Sequence, residues 1–262
     1  MASTSETGHA KNVANFEDLV SFCTSYGTNY NPSKAAIKLP ALNTLLTSAR
    51  GSLIAVNTAT TPFNNAVNAR EIAFTPLTKL VTRVINALDA TDATTQVVKD
   101  AKTIARKLQG KRAEKLPLPP PPSPTPAMIV LPSPSPSPLP TPLPITPIHI
   151  SASQMSFDNR IEYFSKLITL LTNEPLYTPN ETDLKLITLN TLLTTLKTTN
   201  TSVVNLTTPI SNARINRNKI LYLAITGLYD IQLEVKKYVK SVFGATSPEY
   251  KQISGIKFTK AR

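Results

Sequence analysis

Lys38–Thr47 reads KLPALNTLLT and Lys185–Thr194 reads KLITLNTLLT, with eight of ten positions identical at a separation of 147 residues. The same separation brings Tyr30 onto Tyr177 and Pro32 onto Pro179. It also brings TTPFNNAVNAR (Thr60–Arg70) onto TTPISNARINR (Thr207–Arg217). Agreement spread over so many positions reads as a tandem duplication. Beyond these words the register slips. Ala90-Thr91 meets Ala245-Thr246 only after a further shift of about eight residues, so the second copy is expected to carry a longer third helix.

Between the copies lies a proline tract, Pro117–Pro147, with 15 prolines in 31 positions and no charged residue. Proline fixes φ and has no N–H, so the tract is expected to be extended polyproline II, a spacer of roughly 100 Å if straight. The expected organisation is therefore a disordered tail at 1–14, a helical bundle at 15–115, a polyproline linker at 116–149 and a second bundle at 150–262. Charge follows the same division. Residues 1–116 and residues 149–262 each carry 14 basic and 8 acidic side chains, which with the neutral linker gives the net +12.

Each copy reads as all-α. Apolar residues recur three and four apart, and no strand-like alternation is sustained. In the first copy helices are expected over Phe16–Ser25, Ser33–Ala59, Pro62–Leu88 and Asp92–Leu108. In the second, Phe157–Thr172 is followed by a capping box at Thr178, Pro179 and Glu181 that opens a helix to Leu206. Thr208-Pro209 opens a third helix to Phe243, with Gly244 suited to end it. SPEYKQISGIKF closes the copy as a short helix or an irregular tail. The Thr-Thr-Pro words favour an antiparallel hairpin, because proline disfavours a helical predecessor. A seam from Leu39 to Leu88 nevertheless keeps its three–four phase straight through Pro62, as a single kinked helix would. Pro40 and Pro76 are expected to bend or interrupt the helices of the first copy.

Composition excludes several classes. With one cysteine, Cys23, there is no disulfide or cysteine-based metal framework. His9 and His149 lack ligands at metal spacing, so no metal and no cofactor is expected. There is no phosphate-binding glycine loop, and no carboxylate pair recurs in both copies as a two-metal or glycosidase site would lead one to expect. Cys23 lies among apolar neighbours, which reads as a buried structural thiol. A non-enzymatic protein follows. No apolar run reaches the roughly 18 residues of a membrane span, and the first 15 residues lack a signal-peptide core. The default reading is cytoplasmic, with signal-less export left open and a membrane-surface role disfavoured.

Candidate sites are few. Asn65, Arg70, Asn212, Arg214 and Arg217 sit in the repeated Asn–Ala–Arg words, and Arg70 and Arg217 fall on the apolar seam. An arginine there is costly unless paired, so it either fixes helix register by an internal contact, forms a recessed anion site or anchors a partner. Lys107, Lys111, Arg112 and Lys115 cluster before the linker, and Lys236, Lys237 and Lys240 cluster in the second copy. Such groups form a solvated face or neutralise phosphates. The 35 threonines place hydroxyls opposite the leucines, either as a neutral solvated face or as an array against a repetitive surface. The preferred function is a structural or protein-interaction module acting through a protein partner or self-association. The alternative is a basic, non-specific nucleic-acid binder.

The words NYNPS and LYTPNETDLK, LNTLL, SNARINRN and VKKYVKSVFGATSPEYKQ resemble a group of uncharacterised all-helical proteins of Bacteroidota-type bacteria. The resemblance covers both copies but not the linker. It implies an all-α fold and a bacterial origin, and it assigns no activity and no site residue.

Overall fold

A computed structural model describes residues 8–111 and 155–260. The expected linker at 116–149 lies outside them. All regular structure among the described residues is helical. The α-helices are α1 (His9–Ser25), α2 (Leu39–Phe74), α3 (Leu77–Asp89), α4 (Thr95–Leu108), α5 (Phe157–Thr172), α6 (Leu186–Tyr222), α7 (Leu228–Phe243) and α8 (Pro248–Ser254). Short 3-10 turns precede α2 at Ala35–Ile37 and α6 at Thr182–Leu184.

The long helices correct the expected hairpins. α2 runs through Pro62 and α6 through Pro209 without a turn. A proline withholds the donor that the carbonyl four residues earlier would take. Those residues, Thr58 and Asn205, are exposed, as are both prolines, so water can satisfy the freed carbonyls. Next to each proline a threonine hydroxyl supports the preceding turn. Thr60 Oγ1 donates to the Val56 carbonyl at 2.7 Å, and Thr207 Oγ1 to that of Val203 at 2.8 Å. The unbroken seam phase was thus the better guide than the cap-and-proline signature.

Other boundaries shift for local reasons. α1 begins at His9, inside the expected tail, because Asn12 and Val13 are already buried. Pro40 lies in the first turn of α2, where a missing N–H costs nothing, while Pro76 stands at the cap of α3 and separates it from α2. The expected capping box does not form. Thr178–Glu181 is irregular, and α6 starts only after the 3-10 turn. α6 ends at Tyr222, and residues 223–227 make a tight connection before α7. Ile225 holds a φ of 73° there, with its N–H donated to Asp230 Oδ2 at 2.7 Å. A Cβ on Gly227 would lie 2.6 Å from the backbone N and O of Leu223, so glycine is required. This connection and the 16-residue α7, against 13 for α3, absorb the expected register slip. Gly244 caps α7 with a φ of 92°, as expected, and Ser247 caps α8 through the Tyr250 N–H.

The described packing divides the chain differently from the expected bundles at 15–115 and 150–262. One compact unit comprises Met1–Phe74 with Thr195–Arg262; the other is Thr75–Thr194. Each therefore draws on both sequence halves. In the first unit, Phe16, Leu19 and Cys23 of α1 and Leu42, Leu46 and Ala49 of α2 share one core with Leu228, Ile231, Val235 and Val239 of α7 and Ile253 of α8. In the second, α3 packs on α4 and α4 on α5. There α3 buries Leu77, Val81, Val84 and Leu88, and α5 buries Phe164, Leu167, Ile168 and Leu171. A fully buried leucine or phenylalanine contributes about 1.5–3 kcal/mol, and each of these cores draws such residues from both sequence halves.

Surface charge agrees with this exchange. Arg83 of α3 pairs with Asp183 of the loop before α6, and Glu234 of α7 pairs at 2.6 Å with Lys34 of the loop before α2. The polarity is reversed between the units. Were α3 to meet its own half's loop, Arg83 would face Lys34, and α7 against its own half's loop would bring Glu234 to Asp183. Each exposed pair is worth only about 0.2–1 kcal/mol, but both favour the exchanged partner.

Two outcomes are expected. Residues 1–115 and 150–262 produced as separate chains should co-purify as a folded complex, while each alone shows a non-cooperative melt by circular dichroism. Two independently cooperative fragments would contradict the shared core. Replacing the helix-interior prolines, Pro62→Ala or Pro209→Ala, should stabilise the protein by about 1–3 kcal/mol in urea unfolding.

Candidate functional site

The repeated Asn–Ala–Arg words lie on the two long helices. Asn65, Asn212 and Arg214 are exposed, and Arg70 and Arg217 are half-buried. Arg70 Nη1 donates to Oδ1 of Asn200, itself buried on α6, at 3.1 Å. This contact ties α2 to α6 within the first unit. Arg217 instead donates to Asn218 Oδ1 at 2.8 and 3.1 Å. Burial, with a smaller contribution from neighbouring Arg214, lowers its pKa from the usual guanidinium value. The two arginines thus have different partners despite their matched positions.

Around Arg217 the chain builds a polar cluster that no sequence pattern announces. His9 Nδ1 meets Tyr222 Oη at 2.8 Å, and Asn12 Nδ2 donates to the same oxygen at 3.1 Å. Asn12 also clamps the C-terminal segment. Its Nδ2 donates to the Thr259 carbonyl at 2.7 Å, and its Oδ1 accepts from the Thr259 N–H at 3.0 Å. Asn15 Nδ2 donates to the Lys257 carbonyl at 2.6 Å. The C-terminal segment is thereby laced to α1 by amides, while Ile256 and Phe258 pack against the core.

The lysine clusters separate into engaged and exposed members. Lys236 donates to the Ile256 carbonyl and stands over the Phe258 ring at 5.3 Å; burial lowers its pKa. It secures the C-terminal segment. Lys237 is exposed, and Lys240 stands 5.8 Å over Tyr250. Lys107 lies 5.7 Å over Tyr163. Lys111 is exposed and, with Lys102, Arg106 and Gln109, lines a groove of about 320 Å³ between α3 and α4. Arg112 and Lys115 lie outside the described residues.

Threonine hydroxyls turn back onto their own helices. Those of Thr44, Thr47, Thr191, Thr194 and Thr199 each donate to the carbonyl four residues earlier, at 2.9–3.0 Å. A β-branched residue in a helix has a rotamer suited to this bond. These five hydroxyl protons are spent on their own helices rather than offered to an outside surface. Cys23 is buried, and burial pushes its thiol up to about 12, which leaves no thiolate at neutral pH.

A second cavity has no signature in the sequence. In the second unit a cleft of about 530 Å³ lies between α3 and the loop before α6, against Ala87, Asn86, Tyr177, Thr178 and Asn180. Tyr177 is buried and donates to the Leu184 carbonyl at 2.9 Å; burial pushes its phenol up to about 12. No group of three or more histidine, cysteine or acidic residues able to hold a metal occurs among the described residues. No described helix is long and apolar enough to cross a membrane.

No protein-family model, curated protein or solved structure matches this chain. The all-helical architecture implied by the resemblance stands on the structure itself.

The His9 cluster has a pH consequence. Burial, and to a smaller degree Arg217, lowers the imidazole pKa below 6.5, so folding favours the neutral ring. Between the folded and unfolded values the unfolded chain binds the extra proton. The contribution is complete above pH 6.5 and is lost as pH falls through the lower folded value. Thermal melts should therefore drop below this pH, and His9→Gln should flatten that decline.

Proposed function

We propose that the protein is a non-enzymatic interaction module built by tandem duplication, and that the long helices present its contact face. What supports this is a pair of matched exposed stripes. On α2, Ile54, Thr58, Thr61, Asn65, Asn68 and Ile72 recur at intervals of three and four, and all are exposed. On α6 the corresponding Thr201, Asn205, Thr208, Asn212, Ile215 and Lys219 are exposed as well. Ile54, Ile72 and Ile215 expose 65, 74 and 63% of their surface. A single exposed isoleucine is ordinary, but aliphatic groups among amides on a long helix suit a partner helix or a second copy. Two such stripes on one chain allow avidity toward a repetitive or dimeric target.

The second reading, non-specific binding to nucleic acid, draws on the exposed Lys107, Lys111 and Lys237 and on the net +12. The two readings separate in one experiment. The full chain and an Asn65→Arg/Asn212→Arg variant serve as bait in the native host's lysate, with and without nuclease, and are sedimented alone over a range of concentrations. Both substituted positions are exposed, so the variant should keep the wild-type melt. The interaction reading expects a nuclease-resistant partner or reversible self-association, weakened roughly tenfold or more in the variant, the scale of an interface hot spot. Capture that vanishes with nuclease and falls steeply with salt would establish the second reading instead. Identical behaviour of both proteins would remove the stripes from the contact face.

A further inference from the structure

In the first unit, part of what packs beside α1 is not a helix. In the second unit α4 follows α3, packs on α5 and buries Val98, Ala101, Ala105 and Leu108 along its 14 residues. In the first unit α8 follows α7, but it has seven residues and buries Ile253 alone. The chain leaves that helix at Gly255 and continues as residues 256–260, without helix or strand. Side chains of the neighbouring helices take up its backbone. Lys236 of α7 donates to the Ile256 carbonyl, and Asn15 of α1 donates to that of Lys257 at 2.6 Å. Asn12 donates to the Thr259 carbonyl at 2.7 Å and accepts the Thr259 N–H at 3.0 Å. Exposure alternates along the segment. Ile256 and Phe258 are half-buried against the core, with Lys236 over the Phe258 ring at 5.3 Å, and Lys257 between them is exposed. Side chains that share a face two residues apart have the period of an extended chain.

We propose that α1 and α7 form a binding site for an extended peptide of a partner protein, one with an aliphatic and an aromatic residue two positions apart, and that residues 256–260 are its occupant in cis. The recognition suits a strand-like ligand. Amide and ammonium groups hold backbone atoms, which every peptide carries, while the two apolar side chains select the sequence. Lys236 against the ring favours an aromatic residue at the second position. The occupant can leave without the fold leaving with it. Neither of its apolar side chains is fully buried, and the hydrogen bonds to its backbone beyond the Ile256 N–H come from side chains. A segment held in this way opens locally, at a fraction of the free energy of global unfolding. Asn12, Asn15 and Lys236 are not residues of the exposed helix stripes, so this site stands or falls independently of them.

The test uses the full chain with Ile256→Ser and Phe258→Ser, which weakens the occupant in cis. The probe is a labelled synthetic peptide, SGIKFTK, with the sequence of Ser254–Lys260, followed by fluorescence anisotropy. Saturable one-to-one binding to the variant is expected. The wild-type chain, whose site is already filled, should bind the peptide roughly tenfold more weakly or worse. Adding Asn15→Ala to the variant should weaken binding several-fold, and a peptide with serine at both apolar positions should not bind. No saturable binding by the folded variant up to about 1 mM peptide would overturn the proposal. Equal binding of the serine peptide would do so too. Should the variant fail to fold, amide hydrogen exchange of the wild-type chain decides. The Thr259 N–H should exchange roughly tenfold faster or more than the amides of Leu19 and Cys23 in α1, through local opening. Exchange of all three at one rate, through global unfolding alone, would overturn the proposal equally.

Discussion

The packing of α1 against α7 is the interaction on which the rest depends. Phe16, Leu19 and Cys23 form an apolar stripe on the first helix. It shares one core with Leu42, Leu46 and Ala49 of α2 and with Leu228, Ile231, Val235 and Val239 of α7, the latter more than two hundred residues away in sequence. Once that contact is made, α7 and α8 belong with the start of the chain, while α3 and α4 pack with α5. The exchange is thus a consequence of where complementary apolar surface is found.

The polar contacts refine that arrangement rather than drive it. Arg70 with Asn200, and Asn12 with Thr259, are hydrogen bonds between segments that burial has already brought together. Such bonds add about 0.5–1.5 kcal/mol each, but a slipped register would leave their buried groups unmet, which costs more. Asn12, 1% exposed, spends both its amide nitrogen and its oxygen on the C-terminal segment. The reversed ion pairs act in the same sense, as selectors among possible partners.

Matched sequence need not mean matched chemistry. Arg70 and Arg217 share a word and a position, yet one reaches across to α6 and the other folds back onto its neighbour. Tyr30 and Tyr177 share an internal hydrogen bond and are equally buried, yet among the described residues only Tyr30 has a ring, that of Tyr238, edge-on to it.

Much of the local structure was legible in the sequence. The three–four spacing marks helices, Gly244 ends α7, and Cys23 is buried among apolar neighbours. These features depend on contacts within a few residues, which a linear pattern records. The continuity of α2 through Pro62 was only half legible, because the cost of a helical proline depends on whether water reaches the freed carbonyl. The partnering of α7 with α1, the role of Lys236 and the cleft beside Ala87 were decided by tertiary structure alone. An amphipathic helix shows that it has an apolar face, but which other face covers it depends on shape and charge across the folded chain.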